Sequence, residues 1–120
     1  MNEEHSPWVR EIAEADFERE VVEKSKQKPI VVDFWAPWCP PCRRLGPILE
    51  ALVNERKGAV ELVQVNTDDA EGLSRQFHID SIPLVIAFRN GEPADTFKGL
   101  IPEPAIREFI DRLVPREAKS

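Results

Sequence analysis

From Ile30 to Trp35 the chain reads Ile-Val-Val-Asp-Phe-Trp, apolar at every position but one. Such a short continuous run predicts a strand buried on both faces. Leu45, Ile48, Leu49, Leu52 and Val53 then fall at i, i+3, i+4, i+7 and i+8, the one-sided spacing of a long amphipathic helix, with Pro47 expected to kink it. Val60 to Val65 predicts a second central strand. Ala70, Leu73 and Phe77 predict a short helix capped by Asp68 or Asp69. Leu84 to Phe88 is a further strand, joined through Asn90-Gly91 to a shorter one at Thr96-Phe97-Lys98, a hairpin signal. Ile106, Phe109, Ile110, Leu113 and Val114 repeat the helical spacing at the end. Ahead of all these, Phe17 and Val21 follow Asp16, an N-cap candidate, and predict a first helix that stops near Pro29. Strands and helices that alternate and then close with a hairpin and a helix imply an α/β domain: a central mixed β-sheet flanked by helices on both faces.

Length and composition narrow this without changing it. A chain of 120 residues with 42% hydrophobic content suffices for one core and is too short for two ordinary domains. The expectation is a single domain over 1–120, its core from about 17 to 113, with loose ends. The formal charge of −6 comes from 22 acidic against 16 basic residues without a basic block, which argues against nucleic acid or an anionic membrane as partner. No apolar stretch approaches a membrane span in length. Met1-Asn2-Glu3-Glu4-His5 lacks the basic region and apolar stretch of a secretory signal. With only two cysteines in the chain, the expectation is a reducing, cytoplasmic setting.

Both cysteines lie in Trp38-Cys39-Pro40-Pro41-Cys42, between the buried strand and the long helix. A Cys-x-x-Cys pair in that position points to thiol–disulfide exchange. With Cys39 at the N-cap, the unpaired N–H groups and positive dipole end of the helix favour its thiolate, the attacking species. Cys39 is therefore the candidate nucleophile and the sulfur expected to be exposed. Cys42, three residues on and on the same helical face, is placed to resolve the mixed disulfide that Cys39 forms. Prolines in the first turn lose an N–H that had no helical partner. Arg43 and Arg44 add positive charge beside the pair. A purely structural disulfide closing so short a loop would remove little unfolded-state entropy. A zinc site needs about four ligands, and only His5 and His78 are available to complete one, so no metal is expected. Both histidines read more simply as surface or hydrogen-bonded residues.

Asp33 is the single charge in the buried run. Burial raises a carboxyl pKa, so Asp33 is either a general acid/base for the resolving thiol or an ordinary buried acid held by hydrogen bonds. Trp8 is expected to pack against the domain, and Trp35 reads equally well as core or as surface beside the cysteines.

The chain resembles the thioredoxin family over Phe17 to Leu113. The resemblance is carried by Val32-Asp33-Phe34-Trp35-Ala36 with Trp38-Cys39 and Pro41-Cys42, by Pro47, by Ser81-Ile82-Pro83, and by Phe88-Arg89-Asn90-Gly91 followed by Gly99. It implies the thioredoxin fold and reduction of protein disulfides through a redox-active Cys39–Cys42 disulfide. It implies no bound cofactor, electrons from NADPH through a thioredoxin reductase, and disulfide-containing client proteins as partners of a monomer. It also implies that Asp33 transfers the proton of Cys42 and that the Ile82-Pro83 bond is cis, freeing the Ile82 backbone to pair with an extended client. Trp38, Pro40, Pro41, Ile82, Pro83, Gly99 and Leu100 are the client-binding surface by the same resemblance. Three departures stand out: Pro40 where glycine is typical, as in tryparedoxins and nucleoredoxins; Gln64 where a lysine is common; and Leu84 where threonine is common. The alternatives are a dedicated or more oxidising exchange protein and a holdase-like client-binding module.

Overall fold

The structure, a computed structural model, describes residues 6–114. Five strands form one sheet: β1 (Val9–Glu11), β2 (Ile30–Trp35), β3 (Glu61–Asn66), β4 (Leu84–Arg89) and β5 (Glu92–Lys98), in the order β1-β3-β2-β4-β5. β1, β3 and β2 are parallel, whereas β4 and β5 run antiparallel to their neighbours. Three α-helices, α1 (Pro40–Asn54), α2 (Glu71–Gln76) and α3 (Glu103–Leu113), accompany an irregular helical segment over Glu14–Lys26.

Alternation along the strands divides the core in two. Val31, Leu62, Val85 and Ala87 face α1 and α3, packing on Leu45, Leu49, Phe109 and Ile110. Ile30, Val32, Phe34, Val63, Val65 and Phe88 face the opposite way, onto Phe17, Val21 and Leu73. Helices therefore cover both faces, and β2 lies at the centre of the sheet. Asp33 is on the α1 face by the same alternation, two residues from the end that leads to the cysteines.

The boundaries differ from the sequence expectations in four places. β1 precedes Phe17, so the sheet begins eight residues before the expected core: Val9 registers on Leu62 and Leu62 N–H donates to Trp8 C=O at 2.8 Å. The Arg10-Glu11 pair hid this strand, because an edge strand of three residues carries no apolar alternation. Arg10 instead pairs with Glu61 on β3 and with Glu20, both at 2.8 Å. The first helix is broken into 3₁₀, π and 3₁₀ turns, and Asp16 lies inside its first turn, where it pairs with Arg19 instead of capping. Neither Asp68 nor Asp69 caps α2, because Asn66 at the end of β3 accepts the Asp68 N–H and opens a separate 3₁₀ turn over Thr67–Asp69. β5 is longer than Thr96–Lys98, since the Asn90-Gly91 turn, with φ of 56° and 87°, sets Glu92 opposite Arg89. α1 continues through Pro47, which lies on its exposed side. The expected loose ends and His5 fall on residues 1–5 and 115–120, outside the described residues.

Candidate active site

The end of β2 delivers the chain through Ala36-Pro37-Trp38 into the first turn of α1. Cys39 is the N-cap, with extended φ and ψ of −101° and 105°, and its sulfur accepts the Cys42 N–H at 3.3 Å. Pro40 and Pro41 fill the first helical positions, where no N–H is needed. Cys39 and Cys42 form a disulfide with Cα atoms 5.3 Å apart.

Both sulfur-bearing residues are buried, Cys39 at 4% and Cys42 at 2% exposure. This differs from the expectation of an exposed Cys39 sulfur: in the disulfide form Trp35 and Ile82 pack against the cluster made by Ala36 and the two cysteines. What separates them is direction. The Cys39 sulfur lies 3.9 Å from the Ile82 carbonyl oxygen. Cys42 instead lines a cleft with Asp33, Trp35, Gly46, Glu50 and Gln64.

On the Cys39 side, the Ile82-Pro83 bond is cis. Trp38 is 64% exposed, and its indole N–H donates to both carboxylate oxygens of Asp68 at 3.1 Å. Trp38 and Ile82 line one groove with Thr67, Ile79, Asp80 and Ser81. Gly99 follows β5 with a φ of 80°, a conformation open to glycine, and its N–H donates to the Pro83 carbonyl at 2.8 Å. Leu100, next in the chain, is 38% exposed. Pro40 is exposed, Pro41 half-buried and Pro83 buried. Trp35 does not share the groove: it is half-buried on the Asp33 side, and its indole nitrogen has no hydrogen-bond partner among the described residues. Trp8 packs on the turn at Gly58, where an added Cβ would lie 2.9 Å from its indole nitrogen.

Asp33 is 1% exposed and its Oδ1 has no hydrogen-bond partner among the described residues. Burial first, and the Glu50 carboxylate second, push its carboxyl from the usual 3.8 up to about 7. Gln64 lies opposite Asp33 in the β2–β3 register and donates through Nε2 to Glu50 at 3.3 Å. Arg43 and Arg44 are exposed, and Arg43 lines the Asp33 cleft. His78 is exposed after α2, and among the described residues no group of His, Cys, Asp or Glu is placed to hold a metal ion. No helix among them is long and apolar enough to cross a membrane.

An N-capping cysteine disulfide beside a cis-proline, on a five-stranded mixed sheet, agrees with the comparison to known families: the family model described as Thioredoxin matches residues 8–112. The chain belongs to the thioredoxin family. It is 39% identical over 104 residues to the thioredoxin of Haemophilus influenzae, across 87% of this chain and 95% of that protein. To thioredoxin 1 of Synechococcus elongatus it is 37% identical over 101 residues, across 84% and 92%. A chloroplastic M-type thioredoxin of Spinacia oleracea is 35% identical over 104 residues, across 87% of this chain and 56% of that protein. Thioredoxins are protein-disulfide oxidoreductases that need no bound cofactor. This chain is accordingly a thiol–disulfide oxidoreductase working through the Cys39/Cys42 dithiol–disulfide pair, and neither alternative reading is favoured.

Two residues of the site escaped the sequence reading. Asp68 was legible only as a helix cap, and its place against Trp38 depends on the 3₁₀ turn. Glu50 had a signal: Cys42, Gly46 and Glu50 lie at i, i+4 and i+8, one stripe of α1.

Proposed function

We propose that this thioredoxin is a general reductant of protein disulfides, acting as a cytoplasmic monomer that draws its electrons from NADPH through a thioredoxin reductase. The observation that carries this reading is the pairing of an N-capping Cys39 with a groove whose wall is the Ile82 backbone and the exposed Trp38. An extended client can pair with backbone there while Trp38, Pro40, Pro41, Ile82, Pro83, Gly99 and Leu100 supply apolar contact, an arrangement that reads little of the client's sequence. Cys39 attacks the client disulfide as the thiolate stabilised by the helix N-terminus. Cys42 resolves the mixed disulfide, and Asp33 takes its proton, as the cleft they share supports.

Reduction of an interchain protein disulfide, followed through NADPH consumption with a thioredoxin reductase present, tests the proposal. Steady turnover that disappears in Cys39→Ser is the expected result. Turnover with dithiothreitol but none with the reductase would move the protein to the dedicated-exchange reading.

A further inference from the structure

The cleft behind Cys42 holds more than the reaction described so far uses. Three strands contribute a cross-strand row to its floor, Glu11 of β1 opposite Gln64 of β3 and Gln64 opposite Asp33 of β2, and the row continues into the core with Val85 of β4 opposite Asp33. Above the row lies the α1 stripe of Cys42, Gly46 and Glu50, with Arg43 at the rim. Gly46 brings no side chain into the space, and Gln64 Nε2 would be 3.7 Å from a Cβ placed there. The groups facing Asp33 are therefore Cys42, Arg43 and Glu50 from α1, Glu11 from β1, and the neutral Gln64 and Val85 from the sheet. Glu50 is the acid that Gln64 holds, at 3.3 Å. The deeply buried Asp33 carboxyl has an oxygen without a hydrogen-bond partner among the described residues, in the same cleft.

We propose that Glu50, held by Gln64, is a positioning residue that strengthens Asp33 as the base for Cys42, and that the cleft is the route by which this proton exchanges with water. The proposal rests on the role given to Asp33 above. In the resolving step the Cys42 thiol gives its proton to the Asp33 carboxylate, and the Cys42 thiolate attacks the Cys39 sulfur of the mixed disulfide. The Cys39–client S–S bond breaks as the Cys39–Cys42 bond forms, and the client sulfur leaves with the electron pair and takes a proton from water. The client is thereby reduced by two electrons and the dithiol oxidised. Asp33, now protonated, releases its proton into the cleft, which opens to solvent past Glu50, Glu11 and Arg43. A second carboxylate facing the same cleft makes the Asp33 carboxylate more costly to form, and hence more basic. The position of Asp33 near 7 agrees, with Glu50 as its second cause. A neutral amide at Gln64 leaves that repulsion in place, and its N–H fixes the Glu50 carboxylate over the cleft.

The test compares wild type, Glu50→Gln, Gln64→Lys and Asp33→Asn by two readouts: the Asp33 carboxyl titration followed by carbon NMR, and the pH profile of the resolving step in stopped flow from a preformed mixed disulfide. Glu50→Gln is expected to lower the Asp33 midpoint by roughly half to one pH unit, the scale of two carboxylates interacting across a partly wet cleft. The acid limb of the resolving rate should move down by the same amount, with a lower plateau above it. Gln64→Lys should move both in the same direction, and it carries the test if Glu50→Gln fails to fold. Neither readout follows from a merely structural role for Glu50. An unmoved Asp33 midpoint in both variants, with Asp33→Asn still slow in resolution, overturns the Glu50 assignment alone. An Asp33→Asn variant that resolves at the wild-type rate across pH overturns the Asp33 role and this proposal with it.

Discussion

Replacement of Asp33 by asparagine should change not only the stability of the oxidised protein but its dependence on pH. In the folded state the carboxyl sits at about 7 against the usual 3.8, because ionisation would leave a charge in a buried position beside Glu50. Between those two values the native state holds a proton that the unfolded chain has released. Native wild type therefore loses stability as pH rises from about 4 to about 7, and the loss is complete once the folded pKa is passed. At about 1.4 kcal/mol per pH unit, the interval from 3.8 to about 7 amounts to about 4 kcal/mol. Asparagine cannot ionise, so that loss is absent from the variant. Its amide, however, enters a site where Asp33 Oδ1 has no partner among the described residues, at a cost of roughly 1–3 kcal/mol that does not vary with pH. Asp33→Asn should thus be the less stable protein near pH 4 and the more stable one near pH 8, by roughly 1–3 kcal/mol at each end. Urea unfolding of both oxidised proteins from pH 4 to 9 measures this directly. With m of about 1–3 kcal/mol/M, the two midpoints should move relative to each other by at least about 1 M across that range. A difference between the curves that stays constant from pH 4.5 to pH 8 would refute the assignment of Asp33 as a buried acid protonated below neutrality.

Cys42→Ser should accumulate mixed disulfides with clients through Cys39, while Cys39→Ser should accumulate none, as read on non-reducing gels; capture by the wrong variant would reverse the roles. Pro40 stiffens the first turn of α1, and Pro40→Gly adds backbone freedom worth roughly 0.4–1 kcal/mol, mainly to the dithiol form. That variant should be more oxidising by roughly 10–20 mV in equilibration against glutathione, and a more reducing value would remove the preorganising role of Pro40. Gly58→Ala, at a φ of 98° with its new Cβ 2.9 Å from the Trp8 indole nitrogen, should lose roughly 1–3 kcal/mol in urea unfolding. An unchanged midpoint would mean that Trp8 yields freely and does not anchor the start of the sheet.

How far the sequence reaches is decided by the range of the interactions involved. The buried run at Ile30–Trp35, the apolar stripes of α1 and α3, the Asn90-Gly91 turn and the N-capping position of Cys39 were all legible. Each is set by residues within a turn or two of one another, where hydrophobic period and backbone preference act. That Asp33 was the one charge in a buried strand was equally plain. β1 was not, because three residues with two charges become a strand only through the ladder that β3 offers and through the pairing of Arg10 with Glu61. That neither Asp68 nor Asp69 caps α2 was hidden for a related reason: Asn66 takes the Asp68 N–H to open a separate 3₁₀ turn, and Asp68 turns to the Trp38 indole thirty residues away along the chain. The same holds for the setting of Asp33. Strand register decides that Gln64 lies across from it, and the packing of α1 on that face brings Glu50 into the same cleft. A carboxyl's ionisation depends on the solvent and charge around it in space, and those neighbours lie on four separate elements whose approach no local pattern encodes. The sequence by itself thus determined which groups could carry the chemistry, while the tertiary structure decided which of them face one another.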